Sequence, residues 1–286
     1  MSVGSRLPDF VIIGAMKCGT TSLFRWLGEQ PEVHLPEIKE PHFFSRDDRW
    51  NRGLEWYGSL FGEAEAESVT GEASASYTDP RFSPLAAERM ATIVPRARLI
   101  FLIRDPVERI RSHYRHEVQR SRERRPLVEA LQDPENPYLR SSLYHRALAP
   151  YLDRFPLEQV LVARLEDLTA GSAWEEVLTH IGLPGRPRPQ ESYNISSEKA
   201  GFTRPMLRLW ESGLGRRLGK VPKPLRDLGK RLLLRRSSRY AEKLDGSLVT
   251  IPEGVLQPLW VDQRRFAERL GRSEPLWDRP DYGRSA

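Results

Sequence analysis

Three small groups of residues in this sequence carry side chains able to bind an anion or move a proton. The stretch GAMKCGTTS, residues 14–22, sets Lys17, Cys18, Gly19, Thr20, Thr21 and Ser22 on a short glycine-bounded run. An ammonium and three hydroxyls at the start of a helix suit phosphate or sulfate. First-turn amides lack intrahelical acceptors, and the positive end of the helix dipole points the same way. Further on, KEPHFF places Glu40 two residues before His42. A carboxylate beside aromatic rings can have its proton affinity raised enough to act as a base, and imidazole titrates near neutrality. Glu40 ranks first and His42 second, either as the rival base or as the group that orients Glu40. The third group is Arg104 with Ser112, eight residues apart on the chain. That is about two helical turns, so both can face the same way.

The elements needed to position these groups are legible from hydrophobic periodicity. Phe10, Val11, Ile12 and Ile13 form a mostly β-branched run that predicts a buried strand, ended by Gly14. From Thr20, the residues Leu23, Phe24 and Leu27 fall at helical spacing. RLIFLI, residues 98–103, is the clearest buried strand; Arg104 stands at its end, with Asp105 as cap and Pro106 in the first turn of the next helix. Ligands of open α/β sheets bind beyond the carboxyl ends of strands, which favours both the 14–22 turn and Arg104. Further strands are expected over 68–75 and 159–163, and helices over 50–61, 84–93, 138–155 and 174–181. Prolines 31, 36 and 41 make 29–45 a folded-back loop. Alternating strands and helices predict an α/β fold with a parallel sheet covered on both faces.

The glycine turn differs from a Walker A loop in one respect. Walker A carries its lysine directly after the second glycine, with Ser or Thr next to hold magnesium. Here Thr20 occupies that place and the lysine stands earlier, at Lys17. A loop with this early lysine resembles the 5′-phosphosulfate loop of sulfotransferases that use 3′-phosphoadenosine 5′-phosphosulfate (PAPS). The similarity is closest to the heparan sulfate sulfotransferase branch and its bacterial relatives, and covers residues 7 to about 205.

The resemblance implies a P-loop-like three-layer fold, a central parallel sheet flanked by helices, and a helical C-terminal cap. It implies a sulfonyl group moving by in-line displacement to a hydroxyl of a small-molecule, glycan or glycolipid acceptor, with 3′,5′-adenosine bisphosphate as product and no metal. Lys17 with residues 18–22 would hold the 5′-phosphosulfate. Within RDPVERIRSHY, Arg104 and Ser112 would hold the 3′-phosphate. Glu40 matches the catalytic-base motif. Lys199 and Gly201, in NISSEKAGFTR, stand where a second basic glycine loop closes over the nucleotide. GEASASY, residues 71–77, resembles a segment lining the acceptor cleft, although Ala73 and Ala75 replace the lysine and proline common in heparan-modifying members.

Composition is compatible with this. A chain of 286 residues can bury one large core, here taken as a single domain over 1–286 with its core at about 7–205 and a basic helical extension at about 205–286. No apolar run approaches the ~18 residues of a spanning helix. A single cysteine and no apolar leader predict a cytoplasmic protein. The net charge of +6 is unevenly spread: residues 204–243 carry thirteen Lys and Arg against three acids. That basic stretch suits an anionic cofactor, acceptor or surface. Its PKPLRDLGKRLLLRR segment, 222–236, could lie on an anionic membrane, whereas nucleic acid is not indicated, since no aromatic stacking platform interrupts the charge. Two other function classes fit parts of the sequence. A P-loop kinase or NTPase would turn over ATP with magnesium, and a non-catalytic module would dock its basic helices on anionic lipid. Oligomeric state has no signature here.

Overall fold

A computed structural model of the chain describes residues 6–120, 122–189 and 250–277. Lys199, Gly201 and the basic 204–243 stretch lie outside the described residues. Strand β1 (Phe10–Gly14) leads through a turn into helix α1 (Thr20–Gly28). Then come β2 (Val33–His34), α2 (Asp47–Trp50), α3 (Gly53–Ser59), β3 (Val69–Ala73), α4 (Ser83–Ile93) and β4 (Arg98–Ile103). Helices α5 (Pro106–Gln119), α6 (Leu127–Gln132), α7 (Pro137–Arg140) and α8 (Tyr144–Leu152) precede β5 (Val160–Arg164), and α9 (Leu165–Ala170), α10 (Trp174–His180) and α11 (Glu253–Arg269) follow it.

The five strands form one parallel sheet in the order β2-β3-β1-β4-β5, flanked by helices. After β1 the chain builds the β3 and β2 side and then crosses to β4 and β5 on the other. The order therefore reverses at β1, where an open α/β sheet offers a crevice beyond its strand ends. Because the strands are parallel, the turns after β1, β3 and β4 all emerge at that edge. The strands are buried on both faces: Phe10 to Ile13 and Leu99 to Ile103 have no exposed surface. Gly71 on β3 is required by packing, because a Cβ there would lie 2.1 Å from the Phe10 ring.

The chain packs as two compact units. The first holds the sheet and, among described residues, 6–109, 140–189 and 258–277. The second holds the described residues of 110–139 and 250–257. Within it, Glu123 accepts hydrogen bonds from Arg125 and from Tyr138 Oη, which hold its carboxyl down at about 2 against the cost of burial. Ser112 belongs to this second unit and is buried.

Several expected elements differ in the structure. The helix expected over 50–61 is two short ones, α2 and α3, with Gly53 at φ 82° opening the second. The helix expected over 138–155 is broken between α7 and α8, and α8 starts where Asp262 of α11 accepts the His145 and Arg146 amides. The loop expected over 29–45 contains β2, which extends the sheet by two residues. The C-terminal segment, expected as a helical extension outside the 7–205 core, sends Phe266 of α11 fully into the core against Phe101 and Tyr144.

Candidate active site

The turn between β1 and α1 is shaped by two glycines, and both face protein. Gly14 has φ 153° and a Cβ there would lie 1.8 Å from Thr78 Oγ1; Gly19 has φ 87° and its Cβ would lie 2.5 Å from Leu165. Their small size serves internal packing here, in addition to any close approach by a ligand. Between them Lys17, half-buried, sits at φ 72°, in the left-handed region that non-glycine residues enter only at a cost. The Cys18 amide donates back to the Ala15 carbonyl at 3.1 Å and the Ala15 amide donates to Leu102 of β4, so the turn is stitched to the sheet. The Cys18 side chain points into the core, 3.6 Å from Tyr144 Oη, and burial pushes its thiol up to about 11. Helix α1 then opens with Gly19 as a cap that lends no side-chain hydrogen bond, and Thr20, Thr21 and Ser22 fill its first turn.

Sequence reading missed the residue beneath this turn. Arg109 on α5 is fully buried, donating from Nε to the Met16 carbonyl at 3.1 Å and from Nη1 to Ser142 Oγ at 2.9 Å. Arginine is rarely buried without partners, so a guanidinium in this position ties α5 to the turn that carries Lys17. In sequence, an arginine in a helix rich in charged residues reads as solvated until the fold closes over it.

At the end of β4, Arg104 is half-buried; its carbonyl accepts from Tyr144 Oη at 2.8 Å. Its guanidinium reaches Glu108 only at 3.9 Å, and its buried Nε has no hydrogen-bond partner among the described residues. Asp105 caps α5 as expected, accepting the Glu108 amide at 2.8 Å.

The KEPHFF segment lies across the end of β3. The Glu40 amide donates to the Ala73 carbonyl at 3.0 Å and the His42 amide to Ser74 Oγ at 3.1 Å. Glu40 Oε1 accepts from Lys39 Nζ at 2.9 Å, and Oε2 is 3.7 Å from His42 Nε2. The other imidazole nitrogen, Nδ1, is 2.7 Å from Ser76 Oγ, which is 2.7 Å from Ser45 Oγ. Burial pushes the imidazole below its ordinary value against the pull of Glu40, with Arg46, Arg49 and Lys39 adding to the fall. Phe43 anchors the segment by stacking on Tyr57 with centroids 4.2 Å apart. Glu40 has φ 63° and His42 φ 56°; with Lys17 they are the three non-glycine residues of positive φ among those described. Strained backbone of this kind collects where function requires a fixed geometry.

The 71–77 segment carries a buried polar cluster. Glu72 and Ser74 are fully buried. Glu72 Oε1 accepts from Tyr57 Oη at 2.9 Å and Tyr77 Oη at 2.6 Å, and Oε2 accepts from Ser74 Oγ at 2.9 Å. Burial outweighs these three donors and pushes the carboxyl up to about 7, with the Glu40 charge adding to the rise. The consequence for stability follows from linkage. Between 4.5 and about 7 the folded chain holds a proton that the unfolded chain has released, so this group favours folding most below 4.5 and that share is lost as pH rises to about 7. Glu72→Gln removes the titration. Relative to wild type, the variant is expected to gain on the order of 3 kcal/mol between the two pH values, by the free energy of a pKa shift. Urea unfolding of both proteins at each pH measures this, and a difference that does not change with pH would contradict it.

A parallel sheet whose switch point carries a glycine turn, an early lysine and a helix N-terminus defines a phosphate-loop type of α/β protein. The chain belongs to the sulfotransferase domain family, whose pattern matches residues 7–184. It is 32% identical over 189 residues to heparan sulfate glucosamine 3-O-sulfotransferase 3B1 of Mus musculus, covering 62% of this chain and 47% of that protein. It is 31% identical over 302 aligned positions to the bifunctional heparan sulfate N-deacetylase/N-sulfotransferase 3 of Mus musculus, covering 96% of this chain and 32% of that one. The chain thus spans less than half the length of these curated relatives. The crystal structure of a sulfotransferase from Alicyclobacillus acidocaldarius superposes with a TM-score of 0.57 at 31% identity, over 67% of this chain and 88% of the other.

Proposed function

We propose that this protein transfers a sulfonyl group from PAPS to the hydroxyl of a glycan, glycolipid or small-molecule acceptor. The observation that carries the reading is the placement of the Lys17 turn at the sheet's switch point, with the Glu40–His42 pair at the neighbouring strand end. The residues fit the donor: the turn opens α1 with no side-chain cap, and the buried Arg104 Nε lacks a partner among the described residues. When bound, the donor supplies the sulfonyl group and a phosphoadenosine leaving group.

In this reading Lys17, Thr20, Thr21, Ser22 and the Gly19 and Cys18 backbone hold the 5′-phosphosulfate. Arg104 and Ser112 hold the 3′-phosphate, and Lys199 and Gly201 contribute contacts to it. Lys17 and the first-turn amides oppose negative charge that grows on the leaving oxygens, a preorganised electrostatic effect. Glu40 takes the acceptor proton, steadied by Lys39 and His42; His42 is the rival base, since burial keeps its imidazole neutral at pH 7. Thr20, in the place of a Walker lysine, counts against a kinase or NTPase. A cytoplasmic location is part of the proposal, supported by the unpaired, buried Cys18; among the described residues no helix is long and apolar enough to cross a membrane.

Thermal melting with 3′,5′-adenosine bisphosphate, ADP and ATP, each with and without magnesium, tests the donor. The bisphosphate is expected to raise the midpoint most, without metal, and Arg104→Ala to shrink its advantage over ADP. A larger, magnesium-dependent shift with ATP would favour the kinase reading instead.

A further inference from the structure

Glu72 takes no part in the transfer outlined above, yet it is fully buried and every oxygen it presents is engaged by a hydroxyl. The third of those hydroxyls belongs to Ser74, whose oxygen also receives the His42 amide. A serine hydroxyl has one proton and two lone pairs. When the proton is committed to Glu72, the lone pairs are left to face His42.

We propose that Glu72 and Ser74 are positioning residues for the proton-accepting pair: the carboxylate fixes the Ser74 hydroxyl, and that hydroxyl holds residues 40–42 in the left-handed turn that sets Glu40 against His42. The inference rests on reading Glu40 and His42 as that pair. Three successive contacts from the end of β3 pin the segment: the Ala73 carbonyl on the Glu40 amide, Ser74 Oγ on the His42 amide, and Ser76 Oγ beside His42 Nδ1. Positive φ at both Glu40 and His42 means the segment would relax elsewhere if it were not held. The Ser74 contact depends on a side chain whose direction Glu72 dictates, just as Ser45 Oγ lies beside the Ser76 hydroxyl. The Tyr57 and Tyr77 hydroxyls fix Glu72 in turn, and Tyr151 Oη, donating to the Tyr77 carbonyl, backs that residue.

Ser74→Ala removes the hydroxyl. Glu72→Gln keeps the volume but offers an N–H to Ser74, so the serine proton must turn away. Hydrogen exchange at the His42 amide reads the contact without any ligand, and both variants are expected to accelerate it about tenfold or more. Release of 3′,5′-adenosine bisphosphate from PAPS, to water or to an added glucoside, is expected to fall about tenfold to a hundredfold, the usual cost of a small misplacement. Affinity for the bisphosphate, measured by calorimetry, stays at the wild-type value and shows the fold to be intact. The double variant loses no more than the worse single one, because both act through one contact. Wild-type exchange and release in Ser74→Ala, while Glu40→Gln is inactive, would overturn the inference and leave the sulfotransferase reading standing. Additive losses in the double variant would also overturn it. Wild-type release in both Glu40→Gln and His42→Asn would remove the reading and the inference together.

Discussion

Lys17→Ala is expected to lower the rate of 3′,5′-adenosine bisphosphate release from PAPS by about a hundred- to a thousandfold, the range seen when one preorganised donor to a developing charge is removed. The expectation depends on where the lysine stands. Its backbone is held at φ 72° between two glycines that cannot take a Cβ without striking Thr78 or Leu165. Alanine suffers the same left-handed cost as lysine, so that variant neither adds nor relieves backbone strain. Lys17→Gly makes a sharper test, because glycine relieves the strain: its stability should exceed that of the alanine variant by about 1 kcal/mol while turnover falls as far. Equal turnover in all three proteins would mean that the ammonium has no part in the reaction.

The second large effect is expected at Glu40. Glu40→Gln keeps the shape and the backbone hydrogen bond to the Ala73 carbonyl but removes the proton acceptor, and the rate should fall by about a hundred- to ten-thousandfold, the span of general-base catalysis. Binding of the bisphosphate should be unchanged, since the donor site uses other residues. His42→Asn distinguishes the two candidates. If Glu40→Gln stays active and His42→Asn does not, the imidazole 3.7 Å away is the base and Glu40 its partner. Comparison of kcat with KM for the donor separates either result from a binding defect.

What the sequence made legible was mostly what short-range physics dictates. The β1 and β4 runs are apolar because both faces are covered, and an unbroken apolar run shows this without any partner being known. The Asp105–Pro106 start of α5 is equally local. The order of the strands is not local, and neither is anything that depends on it. Arg109 reads as a surface arginine in a polar helix; only closure of the fold places the Met16 carbonyl and Ser142 within its reach. Glu72 falls inside the strand expected over 68–75 and its buried cluster is not legible there, because its partners Tyr57 and Tyr77 lie outside that strand. The left-handed backbone at Glu40 and His42 was hidden for a related reason. No glycine marks those positions, and the hydrogen bonds that hold them come from β3, more than thirty residues on.

The inward-facing thiol of Cys18 has a practical consequence. It is the only sulfhydryl in the 286 residues, it has no exposed surface, and burial raises it to about 11. At pH 7 roughly one molecule in ten thousand would carry the thiolate that alkylating reagents attack. The wild-type chain is therefore already a quiet background for maleimide chemistry. A cysteine introduced at Ile38, half-exposed two residues before Glu40, would be the sole reactive handle, and a fluorophore there would watch the base loop directly while the donor turn stays untouched.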